Sequence, residues 1–248
     1  VRHAGFTLYL AVPAGNPVRL EIETDGGSTV LPLDLPEGQL PPLPPGGDVI
    51  ADVSPVLRRF AELANASPGR ILQIGARSEP QPDGRAPLPA RLLERPVIGL
   101  DIHPGPRVHV VGDAHGLSRV LRERSFDAVL SAAVLEHVAA PWLVAAEINR
   151  LLKPGGLTYH QVPSAWPPHS LPNDFWRFSP AALALLFGPE TGFEVLATAS
   201  GGPGTLLPGP GWRERFLGMP TLPVFACAEI LARKVADIPP GAVAWPLE

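Results

Sequence analysis

The stretch FDAVLSAAVLEHVAAPWLVAAEINRLLKPGG, residues 126–156, sets the reading of the whole chain. It opens with a short apolar run from Phe126, of the kind that forms a strand covered on both faces. A turn bearing Glu136 and His137 follows. Beyond it, apolar residues recur at helical spacing behind Pro141, whose missing N–H costs nothing in the first turn of a helix. Lys153–Gly156 (KPGG) then stop that helix. Strand, turn, helix and stop in close succession are the elements of a parallel βαβ unit.

The same rhythm extends in both directions. SPVLRRFAELANASPG (54–69) offers Ser54 as an N-cap, Pro55 at the first helical position, and Val56, Phe60 and Leu63 at helical spacing. RILQIG (70–75), PVIGLDI (96–102), RVHVVGDA (107–114), GLTYHQVP (156–163) and GFEVLATAS (192–200) read as strands, and SPAALALLFG (179–188) as a helix. These alternations predict an α/β fold: a Rossmann-like open, mostly parallel sheet with helices on both faces. Beyond Gly201 the pattern blurs. GGPGTLLPGPGW (201–212) is loop-like, and VFACAEILARKVADI (224–238) suits either a helix or an edge strand. Ahead of the α/β region, FTLYLAVP, PVRLEIET and STVLPLDLP alternate as strands do, predicting a small N-terminal β segment over residues 1–38 that packs apart from the main sheet. Residues 39–53 are rich in proline and glycine and read as a linker, leaving 54–248 as the α/β domain.

Composition narrows the function classes. Among 248 residues, 20 Lys and Arg face 24 Asp and Glu, for a net charge of −4 without any basic cluster, so no nucleic-acid or anionic-membrane partner is expected. Cys227 is the single cysteine, which rules out an internal disulfide. No apolar run approaches the ~20 residues of a membrane span, and the N-terminus lacks the form of a signal peptide. A cytoplasmic location is the expectation. The chain begins with Val1 and not methionine, which suits a processed or excised piece. The 33 prolines fall mostly between periodic segments and predict stiff loops.

In an open parallel sheet, ligands bind beyond the carboxyl ends of the strands. Gly75, Asp101, Asp113 and Ser131–Ala133 fall there. A carboxylate closing the second strand suits a ribose diol, and Asp101 lies 26 positions after Gly75. A strand-end aspartate equally caps a turn, and Asp113 equally caps a following helix. Histidine as a residue type titrates near neutrality, so His137 suits proton transfer. It has no partner at HExxH-type spacing, so no metal site is expected. The loop PSAWPPHSLPNDFWRFSP (163–180) is crowded with aromatics and prolines and carries His169, Asp174 and Arg177. A long ordered loop of this kind suits substrate recognition, while Trp176 and Phe178 equally suit packing and Arg177 equally suits pairing with Asp174. No nucleophile elbow, P-loop or cysteine metal cluster is present.

Together, ILQIG, VIGLDIHPG, VVGDAH, the LEH turn, the LKPGG stop and the DFWRF loop resemble the class I S-adenosylmethionine-dependent methyltransferases. The likeness covers roughly residues 54–200, and it is nearest to the bacterial methyltransferase-domain group. The resemblance implies S-adenosylmethionine as cofactor and methyl transfer to a hydroxyl or amine of a small molecule or glycan. It implies that Ile74, Gly75 and Ala76 sit against the methionine portion and that Asp101 holds the ribose. Ile102 would flank the adenine, Asp113 would accept from the adenine amino group with Ala114 beside it, and Ser131 and Ala132 would line the methyl-donor side. His137 and His169 are the candidate catalytic bases for a hydroxyl acceptor, with Asp174, Trp176 and Arg177 on the substrate loop. A homodimer is compatible with this reading. The chain departs from the family pattern at Gln73, where an acidic residue is usual, and at Arg77 and Glu79, where glycines are usual. The altered loop leaves open a catalytically inactive binding or regulatory module on the same fold. A nicotinamide-dependent oxidoreductase would require the glycine spacing that is missing.

Overall fold

The computed structural model describes residues 18–24, 27–33, 53–78, 88–206 and 222–238. The chain separates into two compact units, Val1–Val49 and Ile50–Glu248. In the first, β1 (Val18–Thr24) and β2 (Gly27–Leu33) form an antiparallel hairpin with Thr24 opposite Gly27. FTLYLAVP and all of the predicted linker except Val53 lie outside the described residues.

The second unit is built on a seven-stranded sheet. Its strands are β3 (Ile71–Ile74), β4 (Val97–Asp101), β5 (Val110–Val111), β6 (Phe126–Ala132), β7 (Leu152–Pro163), β8 (Phe193–Leu206) and β9 (Leu222–Lys234), in the spatial order β5-β4-β3-β6-β7-β9-β8. From β5 through β7 every neighbouring pair is parallel. β9 is antiparallel to both β7 and β8. The Rossmann-like α/β expectation therefore holds, with one reversed strand near the edge.

Helices cover both faces. α1 (Pro55–Ala66) is capped by Ser54, whose Oγ accepts from the Leu57 N–H at 3.0 Å and donates to Glu229 of β9. It buries Val56, Leu57, Phe60 and Ala64 against Ile71, Ala128, Leu130, Tyr159 and Leu231. Burial of Phe60 alone contributes about 2–3 kcal/mol. α2 (Pro141–Leu151) and α3 (Pro180–Leu186) pack the opposite face, with Val144, Ile148 and Leu183 against Leu72, Val129 and Ile230. Near the start of β7 the KPGG run bulges out of the pairing with β6: Leu152 pairs with Phe126, and the next pair is Leu157 with Ala128.

Four local expectations change. RVHVVGDA gives only a two-residue strand, because Arg107 turns the chain in a left-handed conformation (φ 67°) and His109 is tied back to Gly99. Residues 114–119 form a kinked 3-10 segment, broken at Gly116. GGPGTL continues β8 and does not form a loop, since β9 supplies a backbone partner as far as Leu206 opposite Leu222. VFACAEILARK proves to be β9, a strand flanked on both sides. Its alanines and glutamate carry no strand preference of their own. Its Lys234, 2% exposed, donates to the carbonyls of Asn149 and Leu152 and so caps the C-terminal end of α2.

His160 of β7 is fully buried and stacks on Phe187 at 4.3 Å between ring centroids. Its two ring nitrogens contact the hydroxyls of Ser131 (2.7 Å) and Thr158 (2.6 Å). Burial pushes its pKa down to about 3, from 6.5. The unfolded chain therefore binds a proton below pH 6.5 that the folded chain refuses, so this stability is present above pH 6.5 and is lost as pH falls toward 3. Two pH units into that window the loss is about 2–3 kcal/mol. In His160→Gln, urea unfolding at a series of pH values should show a shallower acid loss by that amount. An unchanged pH slope would count against a neutral buried imidazole.

Candidate functional site

The chain runs outward from β3 to β4 and β5, then returns to the other side of β3 as β6. The strand order thus reverses between β3 and β6, and the crevice beyond their carboxyl ends is where such sheets hold ligands. Gly75 occupies the lip of this crevice with φ +70°, and a Cβ there would lie 2.2 Å from Cγ2 of Val134 on the β6 turn. Glycine is thus required by both backbone and space.

Around the lip, Asp101 ends β4 with its Oδ2 accepting from the Arg77 N–H (3.2 Å) and its Oδ1 from the His103 N–H (3.0 Å). Each oxygen keeps a free lone pair. Ile102 beside it is 60% exposed. Asp113 caps the 3-10 segment, its Oδ1 accepting from the His115 N–H (2.9 Å) and facing the His115 ring (2.7 Å). Partial burial opposes its ionisation, but these His115 hydrogen bonds outweigh it and the carboxyl pKa is lowered. Ile74, Ala76 and Ala114 are buried, so their side chains belong to the core and only their backbone reaches the edge. Ala76 N–H donates to Leu100 O. Ser131 is likewise buried, and its hydroxyl is engaged by His160; Ala132 is half-buried at the strand end. Ala133 follows in the left-handed region (φ 53°), a strained turn for a residue with a Cβ.

That turn delivers a polar cluster. Glu136 is 0% exposed, and neither carboxylate oxygen has a hydrogen-bond donor. His137 Nε2 lies 3.6 Å and His169 Nε2 3.8 Å from Glu136 Oε1. The two imidazoles meet edge to face at 4.8 Å. Burial raises the Glu136 pKa, against the opposing pull of its own backbone N–H and of His137, His169 and Arg177. The expected candidates His137 and His169 are thus brought together, with a carboxylate between them.

The 163–180 loop is what carries His169 there. Arg177 grips Asp174 with a two-pronged pair (Nη1–Oδ1 2.6 Å, Nη2–Oδ2 2.7 Å) and also donates to the carbonyls of Trp166, Pro167 and Trp176. Asp174 is enclosed, and the Arg177 guanidinium holds its carboxyl well below the usual range. Oδ2 of Asp174 also accepts from the His169 N–H at 2.8 Å. Trp176 donates its ring N–H to Val138 O and packs on Trp142. The N–H groups of Phe175 and Trp176 both point at Glu136 O. Asp174, Trp176 and Arg177 therefore brace the loop, while Trp166, Leu171 and Phe175 are the exposed apolar side chains on it.

Gln73 does not stand at the crevice. It is buried on the α1 face, with Oε1 unpartnered, lining a cavity of about 370 Å³ with Ala90, Arg95, Val97, Gly99, Arg107 and His109. Gly75, Asp101, Asp113, His137 and His169 do not border that cavity. Glu136, placed on the turn beside His137 without a role of its own, joins the cluster, and Asn173 and Val134 are contributors that residue spacing did not single out. The acidic neighbour of His137 was a visible signal, whereas the approach of His169 from 32 residues downstream had none.

Residues 83–160 match the family model described as a methyltransferase domain. An uncharacterized methyltransferase of Mycobacterium ulcerans (strain Agy99) is 36% identical over 70 residues, which cover 23% of this chain and 28% of that protein. The chain therefore spans little more than a quarter of the curated relative it matches. A SAM dependent methyltransferase from Archaeoglobus fulgidus has a TM-score of 0.51 at 17% identity, covering 72% of this chain and 91% of that one. The 1,6-didemethyltoxoflavin-N1-methyltransferase of Burkholderia thailandensis, solved with 1,6-didemethyltoxoflavin and S-adenosylhomocysteine, has a TM-score of 0.48 at 20% identity over 73% and 79% of the two chains. The Archaeoglobus structure shows the shared Rossmann-like fold. Among the described residues, no helix is long and apolar enough to cross a membrane.

Proposed function

We propose that this chain is a class I S-adenosylmethionine-dependent methyltransferase acting on a hydroxyl or amine of a small molecule or glycan. The observation that carries the reading is the switch-point crevice, where a glycine turn and a diol-accepting carboxylate share one sheet edge with the Glu136–His137–His169 cluster. The matched methyltransferase-domain segment, residues 83–160, contains Asp101, Asp113, Ser131 and His137 and supports it.

The residues present fit the cofactor. The turn at Gly75 keeps side chains out of the lip. Asp101 has a spare lone pair on each oxygen for the ribose hydroxyls, and Asp113 has Oδ2 free for an adenine amino group. Ile102 is an exposed apolar side chain that a purine would cover. When bound, S-adenosylmethionine supplies an electrophilic methyl group on a sulfonium. The chain's own residues orient the two reactants and exclude water. His137 and His169 are the basic groups for a hydroxyl acceptor, and an amine acceptor needs neither. Exposed Trp166, Leu171 and Phe175 offer apolar and aromatic faces for a small molecule or a sugar ring.

A second reading, an inactive module on the same fold, is favoured by one observation: Gln73 supplies no carboxylate and faces the interior. Two measurements separate the readings. Calorimetric titration should show saturable S-adenosylmethionine binding, and its absence at millimolar cofactor sinks the proposal. Mass spectrometry over a panel of hydroxyl and amine acceptors should then detect methylated product. Binding without turnover on any acceptor favours the inactive module.

A further inference from the structure

We propose that Glu136, His137 and His169 form a binding site for one divalent transition-metal ion. The three ligand atoms lie within 4.8 Å of one another, and both Nε2 atoms are within 3.8 Å of the same carboxylate oxygen. Those separations are too long for hydrogen bonds. The two N–O separations, 3.6 and 3.8 Å, approach the ~3.4 Å between neighbouring ligands around an ion with ~2.1 Å bonds, and the two imidazoles close in further when the ion binds.

The protonation pattern points the same way. His137 Nδ1 lies 2.6 Å from Asn173 O, and His169 Nδ1 lies 3.2 Å from Pro167 O. A carbonyl oxygen only accepts, so each Nδ1 donates its proton there, and it is each ring's Nε2 that faces Glu136. Metal-bound histidines are oriented in this way, with the other ring nitrogen donating to a backbone carbonyl. The Glu136 oxygens are the independent observation: the residue is 0% exposed, yet neither oxygen meets a donor. Two imidazole Nε2 atoms and a carboxylate converge on one point. A buried carboxylate without a partner is costly, and a cation removes that cost.

Two imidazoles and one carboxylate select a first-row ion such as zinc, cobalt or nickel over magnesium or calcium, which prefer all-oxygen shells. Three protein ligands leave open positions, which an oxygen of the acceptor would fill. With the ion bound, the two histidines are ligands and do not act as free bases. This refinement of the acceptor side rests on the methyltransferase reading. The metal site itself does not.

The test uses the full chain, stripped of metal with chelator and titrated with cobalt(II) in the absence of cofactor and acceptor. One equivalent of cobalt should give saturable visible absorption bands, and zinc should displace it. Glu136→Gln and His169→Ala should each weaken cobalt binding by about a hundredfold or more, while His103→Ala binds as the parent does. Circular dichroism of each variant separates loss of ligand from loss of fold. A chain that gives no saturable cobalt spectrum, or a folded His169→Ala that binds cobalt like the parent, overturns the site. Because no methyl donor is present, that failure is distinct from failure of the methyltransferase reading.

Discussion

Asp101→Ala is expected to weaken S-adenosylmethionine binding by two to three orders of magnitude, while the protein stays folded. A hydrogen bond to a charged acceptor is worth about 1.5–3 kcal/mol, so at the lower end of that range the loss of two ribose contacts removes about 3–4 kcal/mol of binding free energy. The substitution also frees the Arg77 and His103 N–H groups, which Asp101 holds at 3.2 and 3.0 Å, so the glycine turn keeps only the Ala76–Leu100 backbone tie to β4. Asp101→Asn retains one accepting oxygen and should fall between the two. Isothermal calorimetry measures all three proteins directly. An Asp101→Ala protein that binds the cofactor like the parent would remove the ribose role, and with it the strongest link between this sheet edge and a nucleotide.

The second large effect falls on the acceptor side. Arg177→Ala should cut turnover about a hundredfold and leave cofactor affinity within about threefold of the parent. Arg177 touches neither the strand ends nor the cofactor edge. It fastens Asp174 and three loop carbonyls, and Asp174 in turn fastens the His169 backbone. Without that brace His169 moves relative to Glu136 and His137, and a misplacement of about 1 Å costs on the order of 10² in rate. Arg177→Lys should not restore activity, because an ammonium cannot make the two-pronged contact or reach three carbonyls at once. Steady-state kinetics beside calorimetry reads both quantities. Full activity in the lysine variant would show that charge alone, and not the brace, is what matters at this position.

Much of the frame was legible in the chain because it rests on local chemistry. Ser54 with Pro55 and Ser179 with Pro180 mark helix starts that need only a hydroxyl acceptor and a fixed φ. Mostly apolar runs such as ILQI and FDAVLSA mark strands buried on both faces. β9 was not legible: its alanines, glutamate and lysine favour no strand, and its conformation comes from pairing with β7 and β8. The short β5 was overestimated, because the turn at Arg107 and the tie from His109 to Gly99 use up the residues before it.

The site divides in the same way. Spacing along the chain was enough to put Gly75, Asp101, Asp113 and His137 at strand ends, since alternation and apolar run length fix where each strand stops. It could not show that Ser131 would turn into the core to meet His160, or that Gln73 would face a cavity away from the crevice. Nor could it bring His169 to Glu136 and His137. That meeting depends on the strand order β3-β6-β7, on the strained turn at Ala133, and on the Arg177–Asp174 brace, all of them contacts between residues distant in sequence. Local sequence determined the elements and the edge at which chemistry is possible. Only the tertiary structure decided which side chains share that edge, because such contacts form once the sheet order and the loop brace have closed the distances between them.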